Sequence, residues 1–172
     1  MAARLRLANS DGGQELVEYA IVTAFVMIPM VFSIIFVAQM FWVWHSAVEF
    51  TRDGARYAAT HCWQADGGNV ASYMVTHVPR VIDGDQFRNG PATIVVEYQM
   101  RDAESGTLMP FSCEAGECSV GCVPDAVTVR VTNYEFRRFV TYLGLPGVAM
   151  PDFRTSMAMG GAGCDETGNC AP

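Results

Sequence analysis

The chain contains no lysine; all eleven of its basic residues are arginine. That reads as a compositional habit rather than a functional choice. More telling, no basic cluster is evident in the sequence, and acidic side chains outnumber basic ones eighteen to eleven, for a net charge of −7. Without a basic cluster to neutralise phosphates, nucleic acid is excluded as a partner. A catalytic constellation is missing too. His45, His61 and His77 have no ligand spacing, no Ser/His/Asp grouping stands out, and Asp83-Gly84-Asp85 lacks the rest of a calcium-binding loop, leaving it a turn. No internal repeat or low-complexity tract is evident. The expectation is a protein that is not an enzyme and carries no cofactor and no metal.

The largest gap is in the charge pattern itself. From Ala20 to Trp44 there is no charged residue, and Thr23, Ser33 and Gln39 are the clearly polar members. About 20 apolar helical residues cross the hydrocarbon core of a bilayer, so this run can span with some tilt. A core helix of a small soluble domain would show a polar face, and this segment has none. Phe41, Trp42 and Trp44 crowd its C-terminal end, where amphipathic rings settle at a membrane–water boundary. Arg4 and Arg6 precede the run and Glu49 is the first charge after it. Arginines on the short N-terminal side predict a cytoplasmic N-terminus and a periplasmic or extracellular remainder.

The helix is predicted to continue outward, from Gln14 to Cys62, roughly 73 Å at 1.5 Å per residue. Ala47, Thr51, Ala55, Ala58 and Cys62 form a stripe of small residues at helical spacing. That stripe reads as an outward extension of a surface for packing against other subunits. Glu49/Arg52 and Asp53/Arg56 are i,i+3 pairs on the solvated sides. Asp66-Gly67-Gly68 then ends the helix.

Beyond it, Val70, Tyr73, Met74, His77 and Val78 have helical spacing that Pro79 stops. Ile94, Val96, Tyr98 and Met100 alternate with Thr93, Val95, Glu97 and Gln99, and Val127, Val129 and Val131 with Thr128, Arg130 and Thr132. These read as strands, and Phe153, Thr155, Met157 and Met159 as a third. Phe136, Phe139, Val140 and Leu143 suggest a short helix closed by Gly144. The fold class is therefore α+β: a long N-terminal membrane helix and a small antiparallel sheet laid against it.

Six cysteines all follow the apolar run: Cys62, Cys113, Cys118, Cys122, Cys164 and Cys170. In an exported region, disulfides are the default for an even set. Cys164 and Cys170 bracket a short glycine-containing loop, a natural local bridge, and Cys62 could tie the long helix to the loop after the first strand. A metal site at Cys113, Cys118 and Cys122 is the alternative, and structural zinc sites more often use two close-spaced ligand pairs.

The stretch with most chemical content is Gly13-Gln14-Glu15-Leu16-Val17-Glu18-Tyr19. Glu18 lies five residues after Gly13, just inside the apolar run, where a carboxylate is expensive to desolvate without a partner. Cleavage after Gly13 would give Gln14 a new cationic α-amine. That amine could pair with Glu18 of an adjacent subunit and set the register of one helix against another. Cleavage after Gly12 would put Val17, not Glu18, at mature position five. A lone acid snorkelling at the start of a membrane helix is the simpler reading of Glu18. Pro29 removes one helix hydrogen bond and reads either as a kink used in assembly or as a tolerated membrane proline.

This arrangement resembles the type III signal of type IV pilin-like proteins. Glu18-Tyr19 resembles the Glu-Tyr pair of the Flp subgroup assembled by tight-adherence (Tad) machinery. The longer pattern is similar to TadE-type minor pilins, with an "AVEFALV…P" opening and an "AREGAR" helix. The corresponding stretches are residues 16–22 with Pro29, and Thr51-Arg52-Asp53-Gly54-Ala55-Arg56. Tyr19 stands where TadE proteins more usually have phenylalanine, and Pro29 lies later after the glutamate than in that pattern. The resemblance implies a leader at 1–13 removed by prepilin peptidase at Gly13–Gln14, a long helix at 14–62 with its span at about 20–44, and a disulfide-bonded domain at 63–172. It implies membrane lipid, other pilin subunits and the Tad inner-membrane assembly platform as partners, in a pilus for adhesion or secretion. A static single-pass protein whose exported domain binds a ligand or senses the envelope is the alternative.

Overall fold

The computed structural model describes residues 11–64, 67–113, 118–119, 121–138, 140–161, 163–164 and 170. Most of the expected leader, including Arg4 and Arg6, lies outside these residues, as do Asp66, Phe139 and the loop at 165–169. Helix α1 runs from Asp11 to Thr60 and passes through Pro29. It therefore starts before Gln14 and stops two residues short of Cys62, ends being where helix boundaries are least sharply defined. The contacts divide the chain into a unit up to Met40 and a second from Phe41 onward.

The first unit is the apolar part of α1. The helix is long and apolar enough to cross a membrane, and none of its most apolar window is buried. Leu16, Phe25 and Phe32 are exposed, as are their apolar neighbours. Pro29 offers no N–H, while the Ser33 hydroxyl donates to the Pro29 carbonyl at 2.8 Å, a local bond available without other partners.

The second unit is α+β. After α1 come α2 (Gly68–Thr76), α3 (Asp85–Arg88), β1 (Thr93–Arg101), β2 (Leu108–Pro110), β3 (Ala126–Thr132), β4 (Glu135–Phe136), β5 (Val148–Ala149) and β6 (Phe153–Ala158). Four strands form an antiparallel sheet in the order β2-β1-β3-β6, and β4 pairs with β5. Register places Ile94 opposite Val131, Val96 opposite Val129 and Tyr98 opposite Val127, with Phe153, Thr155 and Met157 continuing the row on β6. Because side chains alternate along a strand, these share one face, and Val127, Val129 and Val131 are fully buried. The opposite face carries polar cross-strand pairs: Thr93 with Thr132 at 3.0 Å, Thr128 with Ser156 at 2.8 Å, and Arg130 on both oxygens of Glu97.

What covers the apolar face is the outer part of α1 together with α2. Ala47, Thr51, Ala55 and Ala58 are all buried, and the Thr51 hydroxyl meets Thr155 of β6 at 2.9 Å. The stripe is thus the seat of the chain's own sheet. This corrects its reading as an extension of a subunit-packing surface: small side chains let the helix backbone approach the sheet closely, and the sheet consumes the face. Gly54 does the same toward α2, since a Cβ there would lie 2.4 Å from the sulfur of buried Met74. Glu49/Arg52 and Asp53/Arg56 are ion pairs on the exposed side.

The segment at 136–143 departs from the predicted helix. Phe136 belongs to β4, and only a 3-10 turn at Thr141–Leu143 forms, ended by Gly144 at φ 69°. The backbone of Glu135 is claimed from outside: buried Gln86 of α3 accepts from its N–H at 3.0 Å and donates to its carbonyl at 2.8 Å. One side chain thereby mimics a strand partner, a tertiary demand that helical spacing does not register.

Candidate assembly helix and the cysteine cluster

Gly13 and Gln14, the expected cut site, lie in the first turn of α1, and a Cβ placed on Gly13 would meet nothing within 4 Å. Glycine costs a helix about 1 kcal/mol relative to alanine. Packing within the described residues gives that glycine no compensating purpose. Gln14 and Glu18 stand one turn apart, at i and i+4, on one face of the helix. Glu18 is exposed and, among the described residues, has no ion-pair partner; Tyr19 beside it is 73% exposed. A carboxylate here, above a cylinder of exposed leucine, valine, isoleucine and phenylalanine, is available to a group from another molecule.

The cysteines lie at the far end of the second unit. Cys62, just past α1, is bridged to Cys118; Cys113 is bridged to Cys122, and Cys164 to Cys170. The three cysteines of the alternative metal set are divided between two bridges, which takes up the thiolates a metal would need. Two bridges adjoin, with the Cys118 and Cys164 sulfurs 3.9 Å apart and those of Cys62, Cys118 and Cys170 within 4.8 Å of one another. Trp63 is locked beneath this end: its indole N–H donates to the Cys122 carbonyl at 2.7 Å and its ring meets Phe111 edge-on. Burial pushes the nearby Tyr98 phenol up to about 12, against a smaller opposing pull from the Gln64 backbone. Gly163 also packs here. A Cβ on it would come within 2.8 Å of the Thr60 carbonyl, and its φ is 76°.

One pattern escaped sequence reasoning, which found no repeat. Tyr57-Ala58-Ala59-Thr60-His61 and Tyr73-Met74-Val75-Thr76-His77 share the spacing Tyr-x-x-Thr-His and the same local bonds. In each, the histidine Nδ1 sits 2.9 Å from the tyrosine carbonyl and about as close to the threonine hydroxyl. The two copies end α1 and α2 and stack in one ladder, His61 on Tyr57, Tyr57 on Tyr73, Tyr73 on His77, with centroids 3.8 to 4.3 Å apart. His61 and His77 are therefore packing residues that also satisfy helix-end carbonyls. His45 is exposed, and Asp83, in the former turn, accepts from the Gln86 amide and the Asp85 N–H.

Residues 13–56 match the family model described as TadE-like protein. The match begins at Gly13, takes in Glu18 and the whole apolar run, and reaches Gly54 and Ala55 of the buried stripe. No curated protein and no solved structure matches the chain. Over these residues the N-terminal helix is thus similar to that of TadE-like proteins.

Proposed function

We propose that this protein is a TadE-like minor pilin or pseudopilin, held in the inner membrane by α1 with its N-terminus cytoplasmic and its disulfide-bonded domain in the periplasm. Prepilin peptidase removes the leader after Gly13, and the helix then enters a Tad-type pilus or its initiation complex on the inner-membrane platform. The observation that carries this reading is the TadE-like match, which starts at Gly13 itself and runs through Glu18. Two features support it. Among the described residues nothing packs against Gly13, which suits a residue selected for recognition by a peptidase. The apolar surface of the first unit is exposed along most of its length, which suits cover by lipid or neighbouring helices.

In this reading Glu18 neutralises the Gln14 amine of an adjacent subunit, and an unpaired carboxylate in lipid is costly enough to enforce the register. Tyr19 carries its ring to the same boundary. The role is structural and not catalytic. Mass spectrometry of the membrane form tests the proposal. A mature chain beginning at Gln14 is expected, and an intact leader in cells that possess the peptidase would overturn it.

A further inference from the structure

The fold brings Arg80 to the sequence neighbours Arg137 and Arg138. A cleft of about 390 Å³ in the second unit is lined by Val43, Arg80, Asp83, Arg137, Arg138 and Tyr142, above buried Tyr134 and Phe136. Three of the chain's eleven arginines meet there, in a protein of net charge −7. Arg137 is held by Glu135 at 3.0 Å. Arg80 and Arg138 have no carboxylate within 4.0 Å among the described residues, and Arg138 donates to the main-chain carbonyl of Arg80, which places its guanidinium beside that residue. The Asp83 carboxylate is occupied by the Gln86 amide and the Asp85 N–H. Two guanidiniums are thus available for an oxyanion, the partner their planar forks suit best.

The surroundings say where that oxyanion comes from. Val43 lies near the C-terminal end of the charge-free run, between Trp42 and Trp44, both of them exposed residues. Tryptophans at the end of an apolar run mark headgroup depth. Beside the cleft, Tyr142 is 91% and Leu145 53% exposed, an apolar loop tip that water alone does not favour.

We propose that this cleft and loop tip dock on the outer surface of the membrane, with Arg80 and Arg138 binding the phosphate of anionic phospholipid and Tyr142 and Leu145 seated among the headgroups. Docking holds the domain against the bilayer. It rests on α1 being a membrane anchor and is independent of leader cleavage and pilus assembly.

Hydrogen exchange of the full chain in lipid nanodiscs tests it, read over the segment from Arg137 to Ala149, with the β1 and β3 amides as a check that every variant is folded. Exchange in this segment is expected to slow in discs containing phosphatidylglycerol relative to pure phosphatidylcholine. Each of Arg80→Gln and Arg138→Gln should reduce that protection about fivefold. Tyr142→Ser should reduce it in either lipid. Equal exchange in the two lipids would overturn the proposal. So would equal protection by inorganic phosphate in phosphatidylcholine discs, which would make the cleft a free-anion site. Protection that rises with the number of copies per disc, whatever the lipid, would assign the surface to a second copy and overturn it as well. A chain that fails to enter discs would overturn the anchor reading and docking together, whereas an uncut leader would leave docking standing.

Discussion

One helix, two fates: before Met40, α1 shows an apolar surface that nothing in its own unit covers, whereas from Val43 to Ala58 its small-residue face is buried against the chain's own sheet. The side chains explain the difference. The first part is large and apolar all round, which suits lipid or a ring of neighbouring helices. The second reduces one face to alanine, threonine and glycine, so that strands can approach, and charges the other with Glu49/Arg52 and Asp53/Arg56.

Several substitutions would break or sharpen that contrast. The Cys62–Cys118 bridge spans 56 residues and ties the end of α1 to the domain. Removing it as a Ser/Ser pair should cost about 4 kcal/mol, and removing Cys164–Cys170, separated by 6, about 2. Chemical denaturation of the detergent-solubilised protein measures both. Ala55→Leu should destabilise the domain by about 3 kcal/mol through overpacking at a fully buried site. Ala24→Leu, in the uncovered part, should change domain stability by less than about 0.5 kcal/mol. Equal effects of the two would erase the distinction. Gly54→Ala falls below Ala55→Leu, at about 1–2 kcal/mol, because the sulfur of Met74 can yield a little within its buried site. Glu18→Gln should leave the unfolding curve unmoved while abolishing pilus incorporation, scored by immunoblot of sheared pili against the membrane fraction.

A pH dependence follows from the sheet of the second unit. Tyr98 titrates near 12 in the folded state against about 10 when unfolded, because burial disfavours its phenolate. Above pH 10 the unfolded chain releases this proton and the folded one retains it. The associated stability is therefore intact below pH 10 and is lost as the pH rises toward 12. Tyr98→Phe should flatten that decline, as followed by circular dichroism at fixed denaturant.

Much of this was readable from spacing. The alternation of Ile94, Val96 and Tyr98 and of Val127, Val129 and Val131 anticipated strands whose register then aligned those very residues. The charge-free run and the acid five residues after Gly13 marked the helix and its TadE-like character. Less legible were elements whose reason lies elsewhere in the chain. The stretch around Phe136 has helical spacing, yet Gln86 and β5 draw it into a strand pair. The short strand β2 exists through its pairing with β1, closed by a turn in which Ser105 and the Glu104 N–H hold the Asp102 carboxyl below its usual range.

Local chemistry by itself determined where the chain is apolar, where it is charged and where its periodicity changes from helix to strand, because each depends on near neighbours in sequence. Tertiary structure alone decided which face of α1 is spent on the sheet and that Arg80, Arg137 and Arg138 share one cleft. Those outcomes depend on distance in space between segments far apart in the chain, and a pattern of spacings contains no measure of it.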